Sequence, residues 1–185
     1  PYPANTGFAW SYIEGLYAGV ADRLAAKGVS TFVAYPSIPA PPLSLRGSSA
    51  QPVVADASLT SVSSLWATVR LIRRLRIDAL YFTDVATWHW GLPFLRLAGV
   101  RWIVSHDHTS GHRQAPRGMK RALKWARARL PGVSADRILT VSEYVARRQR
   151  DVALAPPDRV YPILNGLALP PLERSDPAPL ENLEA

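Results

Sequence analysis

The sequence predicts an α/β fold, a doubly wound and mostly parallel sheet with helices on both faces. Three observations predict it. Short runs rich in β-branched and aromatic residues alternate with stretches of helical apolar spacing, one strand and one helix in roughly every 20 to 30 residues. Polar residues follow those runs at Thr83-Asp84, Ser105-His106-Asp107-His108, Ser142-Glu143 and Asn165-Gly166, where open parallel sheets place their chemistry. The size also fits one domain: 185 residues, 48% apolar, with a mean hydropathy of -0.03, suffice for a core.

Each element follows in turn. Residues 7–26 space Phe8, Ile13, Leu16, Tyr17, Val20 and Leu24 as an amphipathic helix, with Asn5 or Thr6 as N-cap and Lys27-Gly28 as its stop. Residues 30–35 read as a strand. Residues 36–58 hold five prolines and little periodicity, and read as one long loop. Helical spacing returns over residues 59–76, with Leu65, Val69 and Ile72 on one face and Arg70, Arg73, Arg74 and Arg76 opposite. Residues 78–83 read as an apolar strand, 90–97 as a short helix closed by Gly99, and 100–105 as a second apolar strand. A polar turn, a basic helix at 117–130, a strand at 137–141, a helix opened by Ser142-Glu143 and a strand at 159–164 complete the series.

Composition excludes several chemistries. With no cysteine there is no disulfide scaffold, thiolate metal site or cysteine nucleophile. No apolar run reaches the roughly 18 to 20 residues that span a bilayer. The 22 Lys and Arg against 14 Asp and Glu leave a net charge of +8, which favours an anionic partner. The chain opens without Met on Pro1-Tyr2-Pro3 and closes on a polar, proline-rich stretch, so both ends read as cut and the last residues as disordered.

Three constellations stand out, each with a plain alternative. All four histidines (His89, His106, His108, His112) fall within 24 residues. His106-Asp107-His108 at a strand end suits a metal site, a structural turn or a polar small-molecule site. Ser142 before an acidic first turn is ordinary N-cap chemistry and equally an anion site at a helix start. Residues 113–129 carry seven Lys or Arg, with Met119, Leu123, Ala126 and Leu130 as a core-facing stripe and Trp125 beside the basic residues. That face, with Arg117, Lys120, Arg121, Lys124 and Trp125, reads either as a solvated surface or as contact with an anionic membrane. No helix-turn-helix, zinc-finger or RNP-type motif accompanies the charge, so nucleic acid is not expected as a partner.

Six stretches in order resemble glycosyltransferase family 4. Asn5-Thr6-Gly7 is similar to the family's loop before its first helix, and residues 24–35 (LAAKGVSTFVAY) to its helix end, glycine and second strand. Residues 78–83 (DALYFT) and 99–107 (GVRWIVSHD) resemble its next strands, the latter ending on a cleft histidine. Residues 135–142 (ADRILTVS) and 159–166 (RVYPILNG) are the most specific matches. Where the family has Gly-Gly, Gly-His and an Asp after Asn-Gly, this chain has Gly7-Phe8, Gly28-Val29 and Leu167-Ala168.

The resemblance implies half of a retaining, two-domain GT-B enzyme. Residues 1–168 would be its N-terminal, acceptor-side Rossmann-like domain without the first strand, and 169–185 a linker or tail. The C-terminal donor-binding domain would be absent and this chain alone inactive. The partners implied are a nucleotide-sugar donor and a carbohydrate or lipid-linked acceptor; the basic helix adds an anionic membrane surface, for a place in the cytoplasm or at the inner face of the membrane. No metal or other cofactor is implied. By the same resemblance His106 is the catalytic-site histidine, Asp84, Asp107, His108 and Ser142 face acceptor or sugar, and Thr6 and Gly7 face the donor phosphates. The rival expectation is a non-catalytic Rossmann-like module held on anionic membrane by the basic helix, with a metal-dependent hydrolase behind it.

Overall fold

The computed structural model describes residues 3–4, 7–83, 85–109 and 111–164. Helix α1 (Gly7–Ala25) leads to strand β1 (Thr31–Tyr35). Its end is set by Gly28, whose φ of 74° lets Val29 N–H donate to Leu24 O (3.0 Å) and Gly28 N–H to Ala25 O (2.9 Å). After β1 come β2 (Ala50–Val54), α2 (Val62–Leu75), β3 (Ala79–Thr83), α3 (Leu92–Leu97) and β4 (Trp102–Asp107). The basic helix α4 (Gly118–Arg129), β5 (Arg137–Thr140), α5 (Glu143–Asp151) and β6 (Val160–Pro162) follow. The expected N-cap Thr6, its alternative Asn5, Asp84, Asn165-Gly166 and the tail all lie outside the described residues.

Every strand pair is parallel, in two sheets: β1-β2, and β3-β4-β5-β6 in that order. The expected long loop is the first correction, because residues 50–54 form β2 beside β1, with Pro52 opposite Val33. Proline lacks a donor and so argues against a central strand, but β2 has β1 as its one partner in its sheet, and an edge tolerates it.

In the four-stranded sheet one face builds the core. Phe82, Ile103, Ile138 and Val160 pack there against Leu65, Val69 and Ile72 of α2, Leu92 and Leu95 of α3 and Ala146 of α5. Helix α2 opens on a capping box in which Ser64 N–H donates to Ser61 Oγ and Ser61 N–H to Ser64 Oγ, both at 3.1 Å. The opposite face meets α1, whose Tyr17 hydroxyl hydrogen-bonds Thr83 Oγ1 on β3. Helices thus lie on both faces, as expected from the sequence.

The stretch 135–142 has a structural meaning here. Asp136 Oδ2 accepts from Ile103 N–H (2.7 Å) and both its oxygens pair with Arg96 Nη2 (3.0 Å), while Asp136 N–H donates to Ile103 O (2.8 Å). That exchange holds β4 and β5 in register, and Arg96 ties them to α3.

Two apolar faces differ from expectation. Over residues 10–25 of α1 the buried positions are Glu14 and Ala21, both fully buried, whereas Val20 is 54% exposed. Small residues let α1 sit close to β1 and β2, and Glu14 is accommodated because Tyr35 Oη donates to its Oε1 at 2.8 Å. In α4 no residue is buried; Met119, Leu123 and Leu130 of the expected core stripe face solvent. The helix period was right and the inward direction was not, since periodicity alone does not say what an apolar stripe packs against.

The corrected face of α1 has a direct test by urea unfolding. Val20→Ser is expected to change stability by no more than about 0.5 kcal/mol and Ala21→Leu to cost about 1–3 kcal/mol. The reverse ranking would restore the expected face.

Candidate functional site

Strand β4 runs two residues further than the sequence suggests, so His106 and Asp107 stand on the strand itself and not in the turn after it. Successive strand residues point to opposite faces. His106 is paired in register with Thr83 of β3 and Leu139 of β5, and Asp107 with Thr140. The histidine therefore joins the α1 side of the sheet and the aspartate the α5 side.

On the α5 side Asp107 is fully engaged. Its Oδ1 accepts from Thr109 N–H (2.9 Å) and Thr109 Oγ1, and its Oδ2 from Arg148 Nη2 (2.7 Å) and Gln149 Nε2. Four donors occupy the roughly four lone-pair positions of a carboxylate. Arg148 is itself buried; its Nη2 also donates to Thr109 Oγ1 (2.7 Å) and its Nη1 to Gly111 O (3.0 Å). Burial works against the Asp107 charge, yet the hydrogen bonds from Thr109, Gln149 and Arg148 outweigh it and hold the carboxyl below its usual range. Asp107 thus anchors the turn after β4 to α5.

On the α1 side a line of rings meets the strand ends. Trp10 packs edge-on to Tyr17 (centroids 6.4 Å apart), Tyr17 to Tyr81 (5.8 Å) and Tyr81 to His106 (5.8 Å). The His106 and His108 rings lie 4.0 Å apart. The Tyr81 hydroxyl hydrogen-bonds His106 Nδ1, leaving His106 Nε2 buried and without a partner among the described residues. Burial, then the neighbouring His108, lowers the His106 pKa to about 4, so the ring is neutral at pH 7. Burial keeps the Tyr81 phenol protonated by raising its pKa.

The remaining sequence candidates are scattered. Ser142 is the N-cap of α5, its Oγ accepting from Val145 N–H at 3.3 Å. Gly7 is the first residue of α1. Just before it, Ala4 N–H donates to Ser37 O beyond β1, so α1 starts at the carboxyl ends of the strands. Asp84 and Thr6 fall outside the described residues. Arg117 precedes α4, and Lys120, Arg121, Lys124 and Trp125 lie on it. Among the described residues no three His, Cys, Asp or Glu side chains gather as a metal-ligand set.

Sequence reasoning missed Tyr81, Arg148 and Gln149. Tyr81 was findable, because strand alternation puts residue 81 on the same face as Thr83, beside the position paired with His106. Nothing local marks Arg148 and Gln149, which reach Asp107 across 41 and 42 positions of sequence.

The sequence profile of Glycosyltransferase Family 4 matches residues 17–169. The chain belongs to glycosyltransferase family 4. No curated protein matches it. Among solved structures it is similar to a glycosyltransferase from Rickettsia africae ESF-5, with 15% identity and a TM-score of 0.59. That likeness covers 91% of this chain and 45% of the other, so the chain spans under half the length of that structure and shares its Rossmann-like fold. In an open parallel sheet the carboxyl ends of the strands, where His106 stands, are the place to look for ligand contacts.

The Asp107 anchor predicts a stability effect with a sign. Asp107→Ala is expected to lower the unfolding free energy at pH 7 by about 3–5 kcal/mol, since it strands buried Arg148. Because the folded-state pKa is depressed, the native carboxylate contributes fully above its unfolded pKa and loses that contribution as pH falls through the folded one. Urea titrations of both proteins between pH 7 and pH 2 are expected to converge at the acid end; a gap independent of pH would contradict the charged anchor.

Proposed function

We propose that this chain is the acceptor-side half of a retaining glycosyltransferase that moves a hexosyl group from a nucleotide sugar to a carbohydrate or lipid-linked acceptor. It would act in the cytoplasm, at the inner face of the membrane. Residues 1–168 are its domain and 169–185 lead to a donor-binding domain beyond. Among the described residues β1 and β3 each keep one edge unpaired in their sheets, and α1 touches both; a first strand between them would complete a single sheet.

The single observation that supports the reading is the state of His106. Its Nδ1 is taken by the Tyr81 hydroxyl, its Nε2 is unpartnered among the described residues, and it lies at the carboxyl end of a central strand. With Tyr81 donating, the neutral imidazole carries its proton on Nε2 and offers one oriented donor to a hydroxyl of sugar or acceptor. In the transfer, the bond from the anomeric carbon to the diphosphate breaks with its electron pair on the diphosphate. The acceptor oxygen takes that position with configuration retained, and its proton leaves with the diphosphate. Preorganised donors stabilise the developing charge: the start of α1 at Gly7 on this side, and basic side chains of the donor half, without a metal. His108 and Ser142 would face the acceptor, and Asp107 holds the turn after β4.

Exposure of α4 favours one second reading, a non-catalytic module on an anionic membrane. Turnover separates the two. In the complete enzyme, with release of nucleotide diphosphate as the readout, His106→Ala is expected to lower kcat by about tenfold or more. Tyr81→Phe, which keeps the ring and removes only the hydroxyl, is expected to lower it several-fold and to shift the pH profile. Unchanged kcat in both variants would reject the enzymatic role of His106, and no release of nucleotide diphosphate by the unsubstituted protein would favour the module.

A further inference from the structure

Helix α4 carries a combination that a solvated charged surface does not need. Its 12 residues have no buried member, and its apolar side chains are among the most exposed of the molecule: Met119 at 75%, Leu123 at 57% and Trp125 at 52%, followed by Leu130 at 50%. At about 100° per residue, Met119, Leu123, Ala126 and Leu130 fall on one line along the helix. Lys120 and Arg127 lie about a quarter turn from that line on one side and Arg129, over the Trp125 ring at 4.4 Å, on the other, while Arg117, Arg121, Lys124 and Trp125 lie further round the helix. Between Asp107 and Asp136 the chain contains no acidic residue at all, while residues 113–129 contain seven Lys or Arg.

We propose that α4 is a docking surface for an anionic lipid bilayer, lying in the interface plane with Met119, Leu123 and Leu130 in the acyl boundary and its basic side chains on headgroup phosphates. A membrane uses both features together: an apolar stripe gains by leaving water, and cations gain at the negative surface of the leaflet. Nucleic acid would use the cations and leave the stripe in water. A second copy would bring two basic surfaces face to face. Anchoring is attached and not spanning, because among the described residues no helix is long and apolar enough to cross a membrane. In the connection from β4 to α4, Gly111 O accepts from Arg148 Nη1 of α5, so the segment leading from His106 to α4 is fixed near its start. The surface gives the proposed location at the membrane its residues and mode. It needs no turnover to be tested, so its failure is distinguishable from failure of the glycosyl-transfer reading, which the His106 and Tyr81 variants decide.

The test is co-sedimentation of the protein with phosphatidylcholine vesicles, with and without phosphatidylglycerol, at low and high salt. Binding to the anionic vesicles is expected to be about tenfold or more tighter, and weaker at high salt. Lys120→Glu with Arg121→Glu, both exposed positions, is expected to reduce it to the level of neutral vesicles. Met119→Ser with Leu123→Ser, both exposed on the stripe, is expected to weaken it about tenfold while leaving the salt dependence in place. Indifference to lipid charge, or no binding, would overturn the proposal. So would full binding by the apolar double variant, an RNA duplex bound as tightly as the vesicles, or a dimer in sedimentation equilibrium that either double variant dissolves.

Discussion

The candidate site depends on the alternation of side chains at the end of β4. His106 and Asp107 are neighbours in sequence and opposites in space. The aspartate is consumed by four hydrogen bonds on the α5 side, and the histidine is left with one bonded nitrogen and one without a partner among the described residues on the α1 side. A one-residue shift of β4 would exchange them and put an unpaired carboxylate among the aromatic rings. The register is held at the other end of the strand, where Asp136 receives Ile103 N–H and gives its own N–H to Ile103 O.

This division assigns stability and chemistry to different side chains. Asp107, Arg148, Thr109 and Gln149 form a buried polar group that is worth its desolvation only while complete. It supports the loop after β4 and has no lone pair left for a substrate. His106 is positioned by the hydroxyl of Tyr81, and Tyr81 in turn by the ring of Tyr17, so α1 reaches the strand ends through aromatic contact. A neutral imidazole with a single open donor suits recognition of a sugar hydroxyl better than proton abstraction near neutral pH.

Much of this was legible in the sequence, for identifiable reasons. Apolar strands bounded by polar residues are strong signals, so β3, β4 and β5 and the parallel pairing were readable to within two residues. His106 was readable because it follows such a strand. β2 was hidden by Pro52, whose usual meaning fails on an edge strand. The inward faces of α1 and α4 were misjudged because spacing gives a helix its stripe but not its partner: Glu14 is buried through Tyr35, whereas Leu123 has nothing packed over it. Arg148 and Gln149 were out of reach because their role rests on contacts about forty residues apart. The stretch ADRILTVS, among the most specific family signatures, marks a structural exchange between β4 and β5 as much as a site.

The central claim is that His106 stands neutral with its proton on Nε2, held there by Tyr81. Nitrogen-15 NMR of the labelled histidines reads both facts in one titration. The account predicts a pyrrole-type shift at Nε2 and a pyridine-type shift at Nδ1 of His106 at pH 7, with protonation near pH 4 and the tautomer preference relaxed by Tyr81→Phe. A His106 that is charged at pH 7, or that carries its proton on Nδ1, would contradict it.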